Sequence, residues 1–199
     1  VVRDDGRHVP DLTGPAAELV RLVDGVRDEQ LGAPTPCAAT SVAGLLDHLL
    51  GLTHAFRLAA AGQPMPGPAH GSAAALPAIW RALLPHQLDV LAQAWAAPEA
   101  WLDSGHPGHA PLPAGVLGLI ALDELVVHGW DLAVATGQEH RPDPVATQLC
   151  LAFLVDYESA APDAFAAMFG PRVPVPGDAP GFRRLLGQTG RDPDWSPPG

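Results

Sequence analysis

Apolar positions recur every three to four residues in five stretches of this chain, and no stretch alternates as a strand would. Leu19, Leu22, Val23 and Val26 predict a first helix from about Pro15 to Arg27. Leu45, Leu46, Leu49 and Leu52 predict a second, starting at Thr40 or Ser41 as N-cap and running to about Ala61. A third is expected over roughly Ala74 to Ala96 and a fourth over about Gly115 to Thr136, with Gly137 as its terminator. The fifth, about Pro144 to Ser159, has Asp143 as N-cap and Pro144 in its first turn. Pro/Gly-rich links occupy 62–71 and 97–114, and from Gly170 onward the chain reads as an irregular strap. The fold class expected is all-α: a four-helix bundle with an additional helix and a Pro/Gly-rich C-terminal tail. One domain is expected over 1–199, with its helical core at about 12–160 and the strap at about 170–199.

Composition fits a globular chain, at 47% hydrophobic and 17% charged residues. The formal net charge of −11 argues against a nucleic-acid backbone or an anionic membrane surface as partner. No apolar run has the length of a membrane span, and the charged start, Val1 to Pro10, has no signal-peptide pattern. Two cysteines, Cys37 and Cys150, make no disulfide framework, so a cytoplasmic location is expected. All 11 basic residues are Arg, and Lys and Asn are absent, which suggests a GC-rich source such as an actinobacterium.

The chemistry concentrates in the fourth helix. Glu124 and His128 are four residues apart, about 40° from each other around a helix, and Asp131 lies about 20° from Glu124 on the other side. The three make one polar stripe on an apolar helix. Such a stripe is what a solvated helix edge looks like. This one holds no Lys, Arg or Gln, and Glu and His are ligand types for zinc and similar ions. A partner ligand should come from another helix. His48 sits at the edge of the second helix's apolar arc, among Gly44, Gly51, Ala55 and Ala59, which leave room for a pocket or a closely packed element. His54 points about 120° away beside Asp47 and reads as surface. His106 and His109 form an H-x-x-H in a link, more in keeping with solvated residues than with a metal pair. His8, His70, His86 and His140 have no evident partners. Cys37 could be a nucleophile, a ligand or a packing residue. There is no nucleophile elbow and no phosphate loop.

Pro34-Thr-Pro-Cys37, Val42 and His48, and Glu124-Leu-Val-Val-His-Gly-Trp-Asp-Leu132 resemble the DinB-like metal-binding superfamily. Within it they resemble the branch of the mycothiol-dependent maleylpyruvate isomerase N-terminal domain. Phe169 to Pro176 and Thr189-Gly-Arg-Asp-Pro193 are similar to that branch too. The resemblance implies a DinB-like four-helix bundle and a divalent ion, zinc first, with nickel, iron and manganese as alternatives, held by His48, Glu124 and His128. It also implies an open coordination position for a low-molecular-weight thiol, mycothiol in actinobacteria. On that reading a metal-bound thiolate attacks a small electrophilic substrate in an isomerisation or transfer, and Asp131 orients a ligand from behind. The alternatives are a non-catalytic metal-binding module or sensor, or a pathway-specific enzyme that uses no thiol. Catalytic residues are not assigned, and a homodimer is compatible with the sequence. Thr40 stands where the family usually has Trp, a few residues after the Cys.

Overall fold

A computed structural model of the chain describes residues 9–67, 71–102 and 112–197. Among them are seven α-helices and no strand: α1 (Thr13–Asp24), α2 (Val42–Ala60), α3 (Trp80–Ala96), α4 (Ala114–Thr136), α5 (Pro144–Ala160), α6 (Pro162–Met168) and α7 (Gly181–Gln188). Two short 3-10 turns, Asp28–Gln30 and Pro98–Trp101, sit in the connections. Helix α1 packs on α3 and α4, and α2 also packs on α3 and α4, which closes a four-helix ring. Helix α5 lies on the outside of α4, and α6 and α7 pack on α5.

The helices that the pattern predicts are present, and local chemistry sets their ends. Ser41, and not Thr40, caps α2, its side chain accepting from Gly44 N at 3.2 Å. Asp143 caps α5 by accepting from Val145 N and Ala146 N. Gly137 ends α4 with a φ of 68°, the left-handed conformation that glycine adopts without strain. Two expectations need correction. Helix α3 begins at Trp80 and not near Ala74, because Pro77 has no N–H to donate and biases Leu76 away from helical angles. The tail is not irregular throughout. It contains α7, whose Leu185 and Leu186 are buried, and is preceded by α6, which follows α5 and buries Phe165.

Helix α4 is the centre of the molecule. With α1, α2 and α5 all packed on it, 17 of its 23 residues are buried. Its foot is wedged between indoles. Trp95 and Trp101 meet edge to face at 5.0 Å, and their Nε1 atoms donate to the carbonyls of Phe56 and Trp95. Gly118 lies flat against both rings, where a Cβ would come within 2.7 Å of either. No helix among the described residues is long and apolar enough to cross a membrane.

Candidate metal centre

The polar stripe of α4 is therefore not a solvated edge. Asp131 is fully buried, His128 is 5% exposed, and Glu124 is half-buried at the interface with α2. The i, i+4 spacing brings His128 Nε2 to 2.8 Å from Glu124 Oε2. From α2, His48 Nε2 approaches the same oxygen at 3.6 Å, and the two imidazoles meet edge to face at 5.0 Å. One ligand atom from each of His48, Glu124 and His128 falls within 4.8 Å of the others. Donors around a small tetrahedral ion lie roughly 3.3–3.5 Å apart, so small side-chain rotations close this set on an ion. The structure thus brings together the three residues nominated as ligands. His54 is exposed, as its angle predicted, and His106 and His109 lie outside the described residues, as do His8 and His70.

The small residues beside His48 serve a close approach. The segment at Gly71 crosses α2 over Gly44, and Ser72 N donates to Asp47 Oδ2 at 2.9 Å. A Cβ on Gly71 would lie 2.0 Å from the Gly44 carbonyl and 2.7 Å from His48 Cβ, so only glycine lets this strap hold His48 in place. Before α2, Thr35 Oγ1 and N both donate to the Thr40 carbonyl, and Ala39 takes a φ of 59°. This tight Thr-Pro-Cys loop presents Cys37 to the cavity beside His48.

Behind His128 is a relay that the helical spacing indicated only in part. Asp131 Oδ2 accepts from His128 Nδ1 at 2.9 Å, which fixes the tautomer and turns Nε2 toward Glu124. The same oxygen accepts from Arg191 Nη2 at 3.1 Å, while Arg191 Nη1 donates to the Thr189 carbonyl at 2.9 Å. Arg191 lies in the Thr-Gly-Arg segment of the tail. A Thr-Gly-Arg within a predicted strap gives no periodic signal that it reaches back 60 residues to α4.

Electrostatics follow from this crowding. Burial pushes Glu124 up, but the two imidazoles outweigh it and hold the carboxyl well below the ordinary range. Burial pushes His128 down, and the Glu124 and Asp131 carboxylates reverse this, raising it to about 10. The proton on His128 Nε2 thus occupies the place that a cation would take between the imidazole and Glu124. Burial, reinforced by the Glu124 charge, raises Asp123 to about 7. Asp123, on the adjoining face of α4, was not singled out by spacing.

The donors open onto a cavity of about 470 Å³. One wall comes from Cys37, Thr40 and Leu45 and another from the tail, through Met168, Phe169, Gly170 and Thr189 to Arg191. Gly190, at a φ of 76°, turns tightly against Gly170 and Pro171 to close that wall. A half-buried site between two helices, with three protein donors, a held tautomer and an adjacent cavity, has the form of an open metal site.

Residues 13–133 match the model of the mycothiol maleylpyruvate isomerase N-terminal domain. The chain belongs to this family. The match includes Cys37, His48, Glu124, His128 and Asp131 and ends before α5, so the tail wall of the cavity lies beyond it. Among curated proteins, the chain is similar to the uncharacterized proteins MT0763 and Rv0738 of two Mycobacterium tuberculosis strains, CDC 1551 / Oshkosh and ATCC 25618 / H37Rv. Each is 32% identical over 124 residues, which is 62% of this chain and 64% of the relative's length. No solved structure matches.

Proposed function

We propose that this protein is a divalent-metal-dependent isomerase or transferase whose cosubstrate is a low-molecular-weight thiol, mycothiol first, and whose substrate is a small electrophile. The observation that carries the reading is the convergence of His48, Glu124 and His128 on the edge of one cavity. A divalent ion, zinc by preference for this nitrogen and oxygen set, supplies Lewis acidity that favours the deprotonated form of a thiol.

The residues of the chain do the rest. Asp131 holds the proton of His128 on Nδ1, so that Nε2 keeps a lone pair for the ion. Arg191 keeps Asp131 in place and ties the tail to the centre. Leu45, Val127, Met168 and Phe169 give the cavity apolar lining beside the three donors. Cys150 takes no part, since burial raises its thiol well above the ordinary value. Both cysteines are free, in keeping with a reducing cytoplasm.

The test is elemental analysis of the purified protein alongside His48→Ala and His128→Ala. Stoichiometric zinc in the parent and its loss in both variants is the expected result. A parent that acquires no metal on incubation with zinc sinks the reading. With metal loaded, millimolar mycothiol should raise the melting temperature, and no shift would separate a metal-binding module from a thiol-dependent enzyme.

A further inference from the structure

Helix α5 packs on α4, α6 and α7, and its remaining face is uncovered among the described residues. Ala152 stands at the middle of that face, with Gln148 one turn before it and Asp156 one turn after, all three exposed. The face is poor in charge. Asp156 and Glu158 are the only charged residues of the helix, and Glu158 is taken by Arg172 and Gln188. Gln148 and Asp156 have no hydrogen-bond or ion-pair partner among the described residues. The face is also apolar. Val145 is 69% exposed, and a groove of about 420 Å³ between α4 and α5 is lined by Leu119, Leu149, Phe153 and Tyr157. The two rings stack at 5.5 Å. On a chain of net charge −11, this is a surface that another acidic molecule can approach without meeting a cluster of like charge.

We propose that this face joins two copies of the chain, with α5 packed antiparallel against α5 and Ala152 at the crossing. Gln148, Ala152 and Asp156 form one row along the helix at steps of four residues. A two-fold axis at Ala152 lays the row of one copy along the row of the other, and each Gln148 amide then faces the partner's Asp156 carboxylate. Rows of this kind cross their helices at about 50°, the commonest angle between packed helices. Alanine at the centre lets the two backbones come close. Donor and acceptor are thus unused within one chain and matched between two. The size of the face sets the strength. Its 17 residues make α5 about 25 Å long, and with the flank of α4 the face is roughly 20 Å wide, or about 500 Å² per copy. Two copies together bury about 1,000 Å², the lower limit for a specific interface, so the dimer is a weak one, in the micromolar range. None of Gln148, Ala152 and Asp156 lines the cavity beside the three donors, so the pairing does not depend on the metal centre.

Sedimentation velocity of the full chain, from low micromolar to submillimolar concentration, tests it. The expected result is a rise from the mass of one chain to that of two. Ala152→Glu sets two carboxylates against each other at the crossing and should keep the chain monomeric throughout. Gln148→Arg offers a cation to the partner's Asp156 and should tighten the dimer about three- to tenfold, while Gln148→Glu should weaken it by a similar factor. All three changes are at exposed positions, and melting curves should match the parent. A parent that stays monomeric over the whole range overturns the proposal. So does a dimer that Ala152→Glu leaves intact, or one that Gln148→Arg and Gln148→Glu shift in the same direction.

Discussion

Asp131→Asn isolates the relay behind the metal centre. The parent carboxylate has no exposed surface, and one of its oxygens serves both His128 Nδ1 at 2.9 Å and Arg191 at 3.1 Å. Asparagine keeps the shape but loses the charge, and its single acceptor must serve an imidazole and a guanidinium that is only 13% exposed. Loss of such support behind a ligating histidine typically lowers metal affinity 10- to 100-fold, which is about 1.4–2.8 kcal/mol. Complete removal, in Asp131→Ala, strands the buried cation of Arg191 and should cost about 3–5 kcal/mol of stability. In a chain of this length that is a fall in Tm of roughly 6–20 °C. The assay is competition for zinc against a chromophoric chelator, with melting curves on the same samples. Leu154→Ala is the control: Leu154 is fully buried on α5, does not line the cavity, and should cost about 2–5 kcal/mol without touching the donors. If Asp131→Asn binds zinc as the parent does, or if Leu154→Ala loses as much affinity, the relay does not orient His128 and the argument is refuted.

Zinc binding must displace the proton that His128 holds up to about pH 10, so affinity should rise about tenfold per pH unit between pH 6 and 9, with proton release measurable by calorimetry in buffers of different ionisation enthalpy. Gly118→Ala places a Cβ 2.6 Å from the Trp101 ring and 2.7 Å from the Trp95 ring; overpacking outweighs the gain in helix propensity, and a net loss of about 1–2 kcal/mol is expected by urea denaturation. His140 is lowered to about 4 by burial, chiefly, and by Arg21, so below its ordinary 6.5 the unfolded chain binds a proton that the folded chain refuses, and stability falls as pH drops from 6.5 to 4. Asp123, raised to about 7, acts in the opposite direction over that range. The readout is therefore the difference between parent and His140→Gln, which should approach about 3 kcal/mol at pH 4, and parallel pH profiles would refute it.

Much of this architecture is legible in the chain because its signals are local. Ser41, Asp143-Pro144 and Gly137 announce helix ends through their own side chains or backbone preference, and the structure uses each of them so. The start of α3 is hidden in the sequence because three alanines ahead of Pro77 favour a helix that the proline then forbids. Helix α7 has an apolar pair in Leu185 and Leu186 but only eight residues, too few for periodicity to stand out among Pro and Gly. The candidate donors could be reached because Glu124 and His128 are fixed by spacing on one helix, His48 stands at the edge of a leucine stripe, and the family resemblance ties the three together. Asp123 and Arg191 could not be reached in this way. Their importance lies in what surrounds them in space: a carboxyl without a partner, and a guanidinium brought back to α4 by a Gly190 turn.

The polar stripe of α4 shows how the surroundings decide the meaning of a pattern. Taken alone, Glu124, His128 and Asp131 describe a solvent-facing edge as well as they describe a site. What removes the first reading is the tail. Helix α5 covers the outer side of α4, α7 packs on α5, and the turn after α7 drops Arg191 onto Asp131. The family match carries the three donors but ends at residue 133, and Met168–Gly170 and Thr189–Arg191 build the facing wall from beyond it. The three donors and the facing wall of the cavity therefore come from different parts of the chain, joined by one oxygen of Asp131. A change in the tail wall reshapes the cavity while the donors stay as they are. A change at Arg191 alters both, because it moves the wall and releases the support of His128 together.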